Sequence, residues 1–283
     1  ARSKVVHTDV VVKSDDKPSQ ALRRGRGSSM WLALEAVQKG EADVCVSAGN
    51  TGALMAMAKL VLRPIADIER PAIAALWPTV TSECIVLDVG ANIGASARQL
   101  CEYALMGAAM SRALFHIEKP SVGLLNVGTE DGKGSELAKE AFALLSGEAS
   151  VNFTGNVEAR DVLQRECDVL VCDGFSGNVM LKSFEGAAAL IMGEVRQAFT
   201  RNVLTKLAAA VMMPGLRGLR RKMDYKEYGG APLLGLSGVV VKCHGSSDAR
   251  AFRNGIRQAR DAVRHGLIRA IADHISGKEG SGG

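Results

Sequence analysis

Ser121–Leu145 reads SVGLLNVGTEDGKGSELAKEAFALL. The apolar run Val122, Leu124, Leu125 and Val127 ends in a loop with Gly128, Gly132 and Gly134, which also carries Thr129, Glu130, Asp131 and Lys133. A helical pattern begins near Ser135, with Leu137, Ala138, Ala141, Phe142, Leu144 and Leu145 on its apolar face. A strand, a glycine turn with one lysine and a helix form a layout that binds phosphate. Backbone N–H groups approach closely where no Cβ intervenes, and the helix N-terminus carries partial positive charge. The GxxxxGK[ST] spacing of a P-loop is absent. A glycine turn that only ends a buried strand fits this stretch equally well.

The same grammar recurs along the chain. Val44–Val46 ends in the corner Ser47–Gly52, Cys84–Leu87 in Asp88–Gly94, and Val169–Cys172 in Asp173–Asn178. Helical patterns follow each of them, over Ala53–Leu62, to about Ala113 and to about Phe199. Further strands are expected at Val5–Val12, Pro71–Trp77, Ser150–Thr154 and Val239–Lys242, a solvated loop over Ser14–Gly27, and one helix over Ala249–Ile271. Strands alternating with helices predict an α/β fold whose mainly parallel sheet is covered on both faces. In such sheets the loops at the carboxyl ends of strands form the ligand crevice. Four corners of one type therefore point to a shared small-anion site along one edge, supplied by Asn50, Asn92, Lys133 and Asn178. Taken singly, each asparagine also reads as a helix cap. No GxGxxG occurs, so a dinucleotide fingerprint is missing.

Composition narrows the function classes. With 47% hydrophobic and 23% charged residues the chain is ordinary globular material, and 283 residues suffice for a large core. Aromatics make up only 4%, which argues against a stacking platform for nucleic acid. The net charge of +5 suits an anionic ligand, an acidic partner or a membrane surface. Six scattered cysteines form no CxxC pair or Cys/His ligand spacing, so no metal is expected and reduced thiols of a cytosolic protein are the simple reading. Neither a signal peptide nor an apolar run of bilayer-spanning length is visible. The first residues, ARSKVVHTDVVV, look like the middle of a domain, and the final GKEGSGG looks like a flexible tail.

Arg196–Met223 differs from the rest. It holds Arg196, Arg201, Lys206, Arg217, Arg220, Arg221 and Lys222 with no acidic residue after Arg196. Leu204, Leu207, Ala208, Val211 and Met212 fall on one helical face, Pro214-Gly215 interrupts, and Leu216, Leu219 and Met223 resume the pattern. Such a segment lies in an anionic membrane interface, or packs as a helix hairpin on its own domain or on a dimer partner. Arg23, Arg24 and Arg26 form a smaller basic cluster. A fifth corner, Cys243–Asp248, carries His244, the one histidine in such a loop. Its position suits a general acid or base, or a structural hydrogen bond.

Seven motifs in this order, SAGNTGALMA, LDVGAN, NVGTEDGKG, FTGNVEARD, CDGFSGNVMLKSFEG, YGGAPLLG and KCHGSSDA, resemble the bacterial phosphate acyltransferase family of phospholipid synthesis. The likeness runs from about His7 to His265. It implies transfer of a long fatty acyl group from acyl carrier protein to inorganic phosphate. The acyl phosphate product would then serve a membrane glycerol-3-phosphate acyltransferase. The implied fold is three-layer α/β/α, related to isocitrate and isopropylmalate dehydrogenases and to phosphotransacetylases. It further implies a homodimer associated peripherally with the inner face of the plasma membrane, with no cofactor and no nucleic acid.

By motif, the family's catalytic residues fall on Lys133, Asn178 and His244. The expected phosphate and substrate contacts are Asn50, Asn92, Gly128, Thr129, Gly132, Gly134, Asp173, Ser176 and Ser247. Lys133 and the loop N–H groups would neutralise phosphate, Asn178 would orient it or donate to the thioester oxyanion, and His244 would move a proton. Arg201, Lys206, Leu207, Val211, Arg217, Leu219, Arg220 and Arg221 would meet the membrane or the acidic carrier protein. Residues 1–275 would make one acyltransferase domain with 196–223 as a basic helical insertion, and 276–283 a tail. One departure stands out: the family's opening strand and DAMGGD-type loop are not found in this sequence. Competing readings are a short-chain phosphotransacetylase or phosphotransbutyrylase using coenzyme A thioesters, and a membrane-surface scaffold without catalysis.

Overall fold

The computed structural model describes residues 3–164, 166–223 and 229–277, except for the side chains of residues 213, 214, 216, 217 and 219–223. Among these, eight strands form one sheet: β1 (Val44–Ser47), β2 (Ala72–Pro78), β3 (Glu83–Leu87), β4 (Ser121–Asn126), β5 (Asn152–Glu158), β6 (Val169–Val171), β7 (Ala231–Leu234) and β8 (Val239–Lys242). Their spatial order is β1-β8-β7-β2-β3-β6-β4-β5. The flanks are parallel, β1 with β8 and β3 with β6, β4 and β5 in turn. The centre, β8–β7–β2–β3, is antiparallel.

Helices cover both faces. The helices are α1 (Pro18–Arg24), α2 (Ser29–Gln38), α3 (Thr51–Val61), α4 (Ala97–Phe115), α5 (Glu136–Gly147), α6 (Gly174–Thr200), α7 (Val203–Met223), α8 (Ala249–Arg264) and α9 (Leu267–Ile275). Alternate residues of one strand feed two cores. Ile85 and Leu87 of β3 join α4, α5, α8 and α9, whereas Cys84 and Val86 join α1, α2, α3 and the start of α6. A strand buried on both faces reads as an unbroken apolar run, which is why periodicity alone is silent there. The three-layer α/β/α architecture expected above is what forms.

Local chemistry sets the helix starts. Ser28 Oγ accepts from Trp31 N at 3.3 Å, opening α2. Ser96 and Gln99 make a reciprocal capping box on α4, with Gln99 N to Ser96 Oγ at 3.2 Å and Ser96 N to Gln99 Oε1 at 3.0 Å.

Four sequence expectations change. Val5–Val12 is no strand: it pairs with none among the described residues, and Val5, Val6 and Val11 stay exposed. The expected loop at Ser14–Gly27 contains α1, started by Pro18, whose fixed φ suits a first helical turn. The long C-terminal helix is two, α8 and α9, divided at Gly266 with φ +62°. Finally, α7 runs through Pro214, although a proline inside a helix removes one N–H donor and crowds the carbonyl of the preceding turn. Residues 278–283 of the expected tail lie outside the described residues.

Candidate active site

Strand direction decides which corners meet. Three successive antiparallel pairings separate β3 from β8, so β1 and β8 run opposite to β3, β4, β5 and β6. The corners after β3, β4 and β6 therefore lie on one edge of the sheet. Those after β1 and β8 lie on the other edge, and β1 stands four strand positions from β3. At ~4.8 Å per position that is roughly 19 Å of lateral separation alone. The single edge carrying Asn50, Asn92, Lys133 and Asn178 is corrected accordingly: Asn50 falls on the far side, with His244 and Ser247.

The β3 and β6 corners are built around Asp88, which the sequence motifs left unassigned. It is fully buried, and its carboxylate accepts from five donors. Oδ1 takes the N–H groups of Ile73, Gly90 and Ala91 at 3.0, 3.2 and 3.0 Å. Oδ2 takes Asn92 N at 2.7 Å and Asn92 Nδ2 at 3.2 Å. Burial pushes this carboxyl upward from the ordinary carboxylate range, and the backbone donors oppose that shift. Asn92 is itself buried and sends its second amide hydrogen to Pro71 O at 2.8 Å. Both of its amide hydrogens are thus taken up inside the protein, where they brace the corner.

The start of α6 docks directly on this corner. Asp173 caps the helix, its Oδ1 accepting from Phe175 N at 2.9 Å and Ser176 N at 3.1 Å while Oδ2 accepts from Ser176 Oγ at 2.6 Å. Asn92 O accepts from Gly174 N at 2.9 Å. A Cβ on Gly177 would collide with Asp88 O, so the glycines of GFSGN serve close helix-on-strand packing. Asn178, one turn in, donates from Nδ2 to Val89 O at 3.3 Å. Its second amide hydrogen has no acceptor among the described residues.

The β4 corner carries Lys133 on a loop held at both ends. Asn126 Nδ2 donates to Lys133 O at 3.1 Å, and Asn126 Oδ1 accepts from Val127 N at 2.8 Å. From neighbouring β5, Asn156 Nδ2 donates to Glu130 O at 3.0 Å. Gly128 is buried, Thr129 and Gly132 are exposed, and Gly134 sits at φ +92° before Ser135 caps α5. Lys133 Nζ lies 3.7 Å from Glu130 Oε1 with both side chains more than half exposed. An ion pair that open is worth about 0–1 kcal/mol, so it yields readily to a bound anion. Asn126 and Asn156 went unmarked because asparagine in a turn looks the same whether or not it clamps a loop.

A cleft of about 580 Å³ opens between α5 and α6, over the ends of β4 and β6. Asn126, Gly134, Ser135, Asp173 and Ser176 belong to its wall, so the Lys133 loop and the Asp173 corner share it.

On the far edge the geometry is different. Asn50 Oδ1 caps α3 through Ala53 N at 3.0 Å. Its Nδ2 reaches Lys13 O, Ser14 O and Asp16 O at 3.3, 3.0 and 2.9 Å, stapling the N-terminal arm. His244 is exposed, with Nδ1 2.7 Å from Ser246 Oγ and accepting from Ser246 N at 3.2 Å. Ser247 Oγ is buried without a hydrogen-bond partner among the described residues. Burial lowers the Lys242 ammonium below its ordinary value and raises the neighbouring Cys243 thiol.

Burial pushes Cys45 up to about 12 and Cys101 to about 11, and raises Cys172 as well. Among the described residues no group of three or more His, Cys, Asp and Glu side chains is placed to hold a metal.

In the basic segment, α6 and α7 contact each other across a short turn at Arg201-Asn202. Asn202 and Thr205 cap this turn reciprocally, with Thr205 N to Asn202 Oδ1 at 2.9 Å and Asn202 N to Thr205 Oγ1 at 3.1 Å. Arg201, Lys206, Leu204, Leu207 and Val211 are all exposed, Val211 at 83%. Arg217, Leu219, Arg220 and Arg221 lie on the α7 backbone, with side chains outside the described set. No described helix is long and apolar enough to cross a membrane.

Comparison with known proteins adds the following. A family model described as "Fatty acid synthesis protein" matches residues 1–270. The chain is 50% identical over 275 residues to the phosphate acyltransferase of Geobacillus sp. (strain WCH70), covering 97% of this chain and 83% of that protein. It is 51% identical over 269 residues to the phosphate acyltransferase of Chelativorans sp. (strain BNC1), covering 94% and 77%. Among solved structures, EutD phosphotransacetylase from Staphylococcus aureus aligns with TM-score 0.52 at 16% identity, covering 89% of this chain and 70% of that one. A branched-chain phosphotransacylase from Enterococcus faecalis V583 gives TM-score 0.52 at 16% identity, covering 83% and 78%. These two are similar in fold.

Proposed function

The chain belongs to the fatty acid synthesis protein family and is an acyltransferase acting on phosphate, and we propose that its donor is a long-chain acyl carrier protein thioester. A phosphate oxygen attacks the thioester carbonyl carbon. The new C–O bond forms as the C–S bond breaks, the electron pair leaves on sulfur, and the proton of hydrogen phosphate ends on the departing thiol. Phosphate already offers anionic oxygens at neutral pH, so the enzyme's contribution is to place it and offset its charge.

The observation that carries this reading is the gathering of the β3, β4 and β6 corners on one edge, with Lys133 at its rim. Lys133 exchanges Glu130 for phosphate, helped by the open backbone at Gly132. Asn178 offers its uncommitted amide hydrogen to the thioester oxygen as charge develops there. Asp88 and Asn92 hold the corner that fixes Asn178. Asp173 is a cap whose negative charge disfavours an anion beside it, so phosphate sits toward Lys133. His244, on the other edge, has no step in this scheme.

The reading extends to residues 1–275 as one catalytic domain with 196–223 as its membrane-facing insertion. It places a homodimer in the cytoplasm, held peripherally at the inner face of the plasma membrane. The exposed Leu207 and Val211 beside Arg201 and Lys206 support contact with an anionic surface. Acyl phosphate made there would pass to a glycerol-3-phosphate acyltransferase on the way to phosphatidic acid.

The direct experiment is incubation of the purified chain with long-chain acyl carrier protein and phosphate, with acyl phosphate as the readout. A parallel arm uses the matching coenzyme A thioester. Lys133→Ala should lower product formation by roughly a hundred-fold or more, the scale of losing one key electrostatic donor. Undiminished turnover in that variant, or turnover with coenzyme A alone, would defeat the reading.

A further inference from the structure

We infer that the cleft between α5 and α6 holds the acyl chain, and that Leu100 and Leu124 at its floor set the chain length the enzyme accepts. This deepens the acyl-transfer reading and rests on it.

The wall of the cleft is largely apolar. Leu137 and Ala138 of α5 face Val179 and Met180 of α6, above Leu100, Leu124 and Cys172. The polar groups in the wall are Asn126, Ser135, Asp173, Ser176 and Ser183, and among the described residues no lysine or arginine lines it. A phosphate, nucleotide or other anion inside the cleft would meet a carboxylate and no cation. The occupant is therefore uncharged and aliphatic. The volume of about 580 Å³ lies within the ~300–1,000 Å³ of ordinary ligand sites.

The cleft also has a direction. Burial deepens along the cleft, from Val127 at 80% and Phe175 at 60% exposed down to Leu100 at 2% and Leu124 at 1%. At the open end stand Asn126, which holds the Lys133 carbonyl, and Ser176, two residues before Asn178. A chain threaded methyl-first thus leaves its thioester carbonyl at the rim, on the side of the Lys133 loop and the first turn of α6. Leu100 sits in the first turn of α4, which the Ser96–Gln99 capping box holds in place. Leu124 lies on a β4 paired on both sides. A floor carried on such elements is rigid enough to measure length.

Each methylene that enters an apolar site strengthens binding by roughly four-fold. For the wild-type enzyme, kcat/KM across a series of saturated acyl carrier protein thioesters should rise with length and level off when the chain reaches Leu100. Leu100→Trp should move that plateau to shorter chains, with a roughly ten-fold or greater loss for the longest donor and little change for the shortest. Leu100→Ala should move it to longer chains. Because a tryptophan at a buried site can unfold the protein, Val179→Trp, on the half-exposed wall, gives an independent block. The KM for phosphate should stay unchanged in both. Binding of a fluorescent fatty acid, measured alongside, should weaken in both tryptophan variants. If the wild type makes acyl phosphate but Val179→Trp and a folded Leu100→Trp keep its chain profile and its fatty-acid affinity, the inference falls. If the wild type binds the fatty acid but makes no acyl phosphate from any thioester, the acyl-transfer reading falls and the cleft assignment stands.

Discussion

The amide of Asn178 occupies the space that a side chain on Gly90 would fill. A Cβ on Gly90 would fall inside van der Waals contact of Asn178 Nδ2, the same atom that donates to Val89 O at 3.3 Å. Gly90 also sits at φ +131°, a backbone conformation closed to other residues. One glycine on the β3 corner and one asparagine in the first turn of α6 are therefore a matched pair. Neither is interpretable without the other.

Gly90→Ala should consequently destabilise the protein by about 1–3 kcal/mol, from backbone strain plus displacement of Asn178. The loss of kcat should exceed that of Asn178→Ala alone. Adding Asn178→Ala to Gly90→Ala should recover the part due to the collision and leave the strain. Urea unfolding of the two single variants and the double variant separates the terms. Strictly additive losses would show that the two side-chain positions do not compete.

Asp88→Asn replaces an acceptor-only carboxylate by an amide that turns donors toward donors. Either Oδ1's three N–H partners or the Asn92 N–H and Nδ2 groups lose their acceptor. Leaving a buried donor unsatisfied costs about 1–3 kcal/mol. The expected outcome is a lower urea midpoint together with lost turnover, because the corner also positions Asn178. Asp88→Asn with wild-type stability would mean the carboxyl is already protonated and shares its proton with the corner.

Alkaline pH should destabilise the fold through its buried thiols. The ordinary thiol value is 9.0, and burial raises Cys45 to about 12 and Cys101 to about 11. Between those limits the unfolded chain loses protons that the folded chain keeps. Stability is thus fully present below about pH 9 and falls as pH climbs toward the folded values, by up to ~1.4 kcal/mol per pH unit per thiol. Cys45→Ala should flatten the fall measured by urea midpoints from pH 8 upward, at the expense of a small cavity. An unchanged slope in Cys45→Ala would remove this thiol from the account.

The α6–α7 segment gives a separable prediction. Leu207→Glu with Val211→Glu places charges on exposed apolar positions, and Arg201→Glu with Lys206→Glu reverses the local field. Each pair should reduce binding to anionic vesicles by about ten-fold, from lost apolar insertion or roughly 1 kcal/mol per basic residue. Turnover of soluble substrates should change by less than about two-fold, since residues 201–211 stand outside the three gathered corners. Vesicle binding that survives both pairs would send the segment to a protein partner instead.

Much of this was legible in the residues themselves. Apolar runs ended by glycine corners marked β1, β3, β4 and β6 and the helices that follow them, because such signals act within a few residues. Lys133 stood out as the one lysine on a glycine loop. Ordered motifs carried the family. Two differences are also local in kind: α1 lies in a polar stretch whose apolar content is too small to show a period, and Gly266 divides two helices inside an otherwise continuous helical pattern.

The division of the corners between two edges was decided only by tertiary structure. Strand direction depends on which partners pair across the sheet, and β2 and β7, inserted between the parallel flanks, reverse it. A corner's sequence is the same whichever way its strand points, so Asn50 and His244 looked equivalent to Asn92 and Asn178. The same holds for Asp88 and for the cleft floor. An aspartate ending an apolar run gains five donors only when residues 73 and 90–92 fold over it, and Leu100 meets Leu124 and Val179 only when three elements close on one another. Sequence by itself determined the elements, their caps and the loop that carries Lys133, because those interactions are short-ranged. Long-range pairing and packing decided which of the marked residues share a site, because side-chain proximity across a sheet is set by topology and not by spacing along the chain.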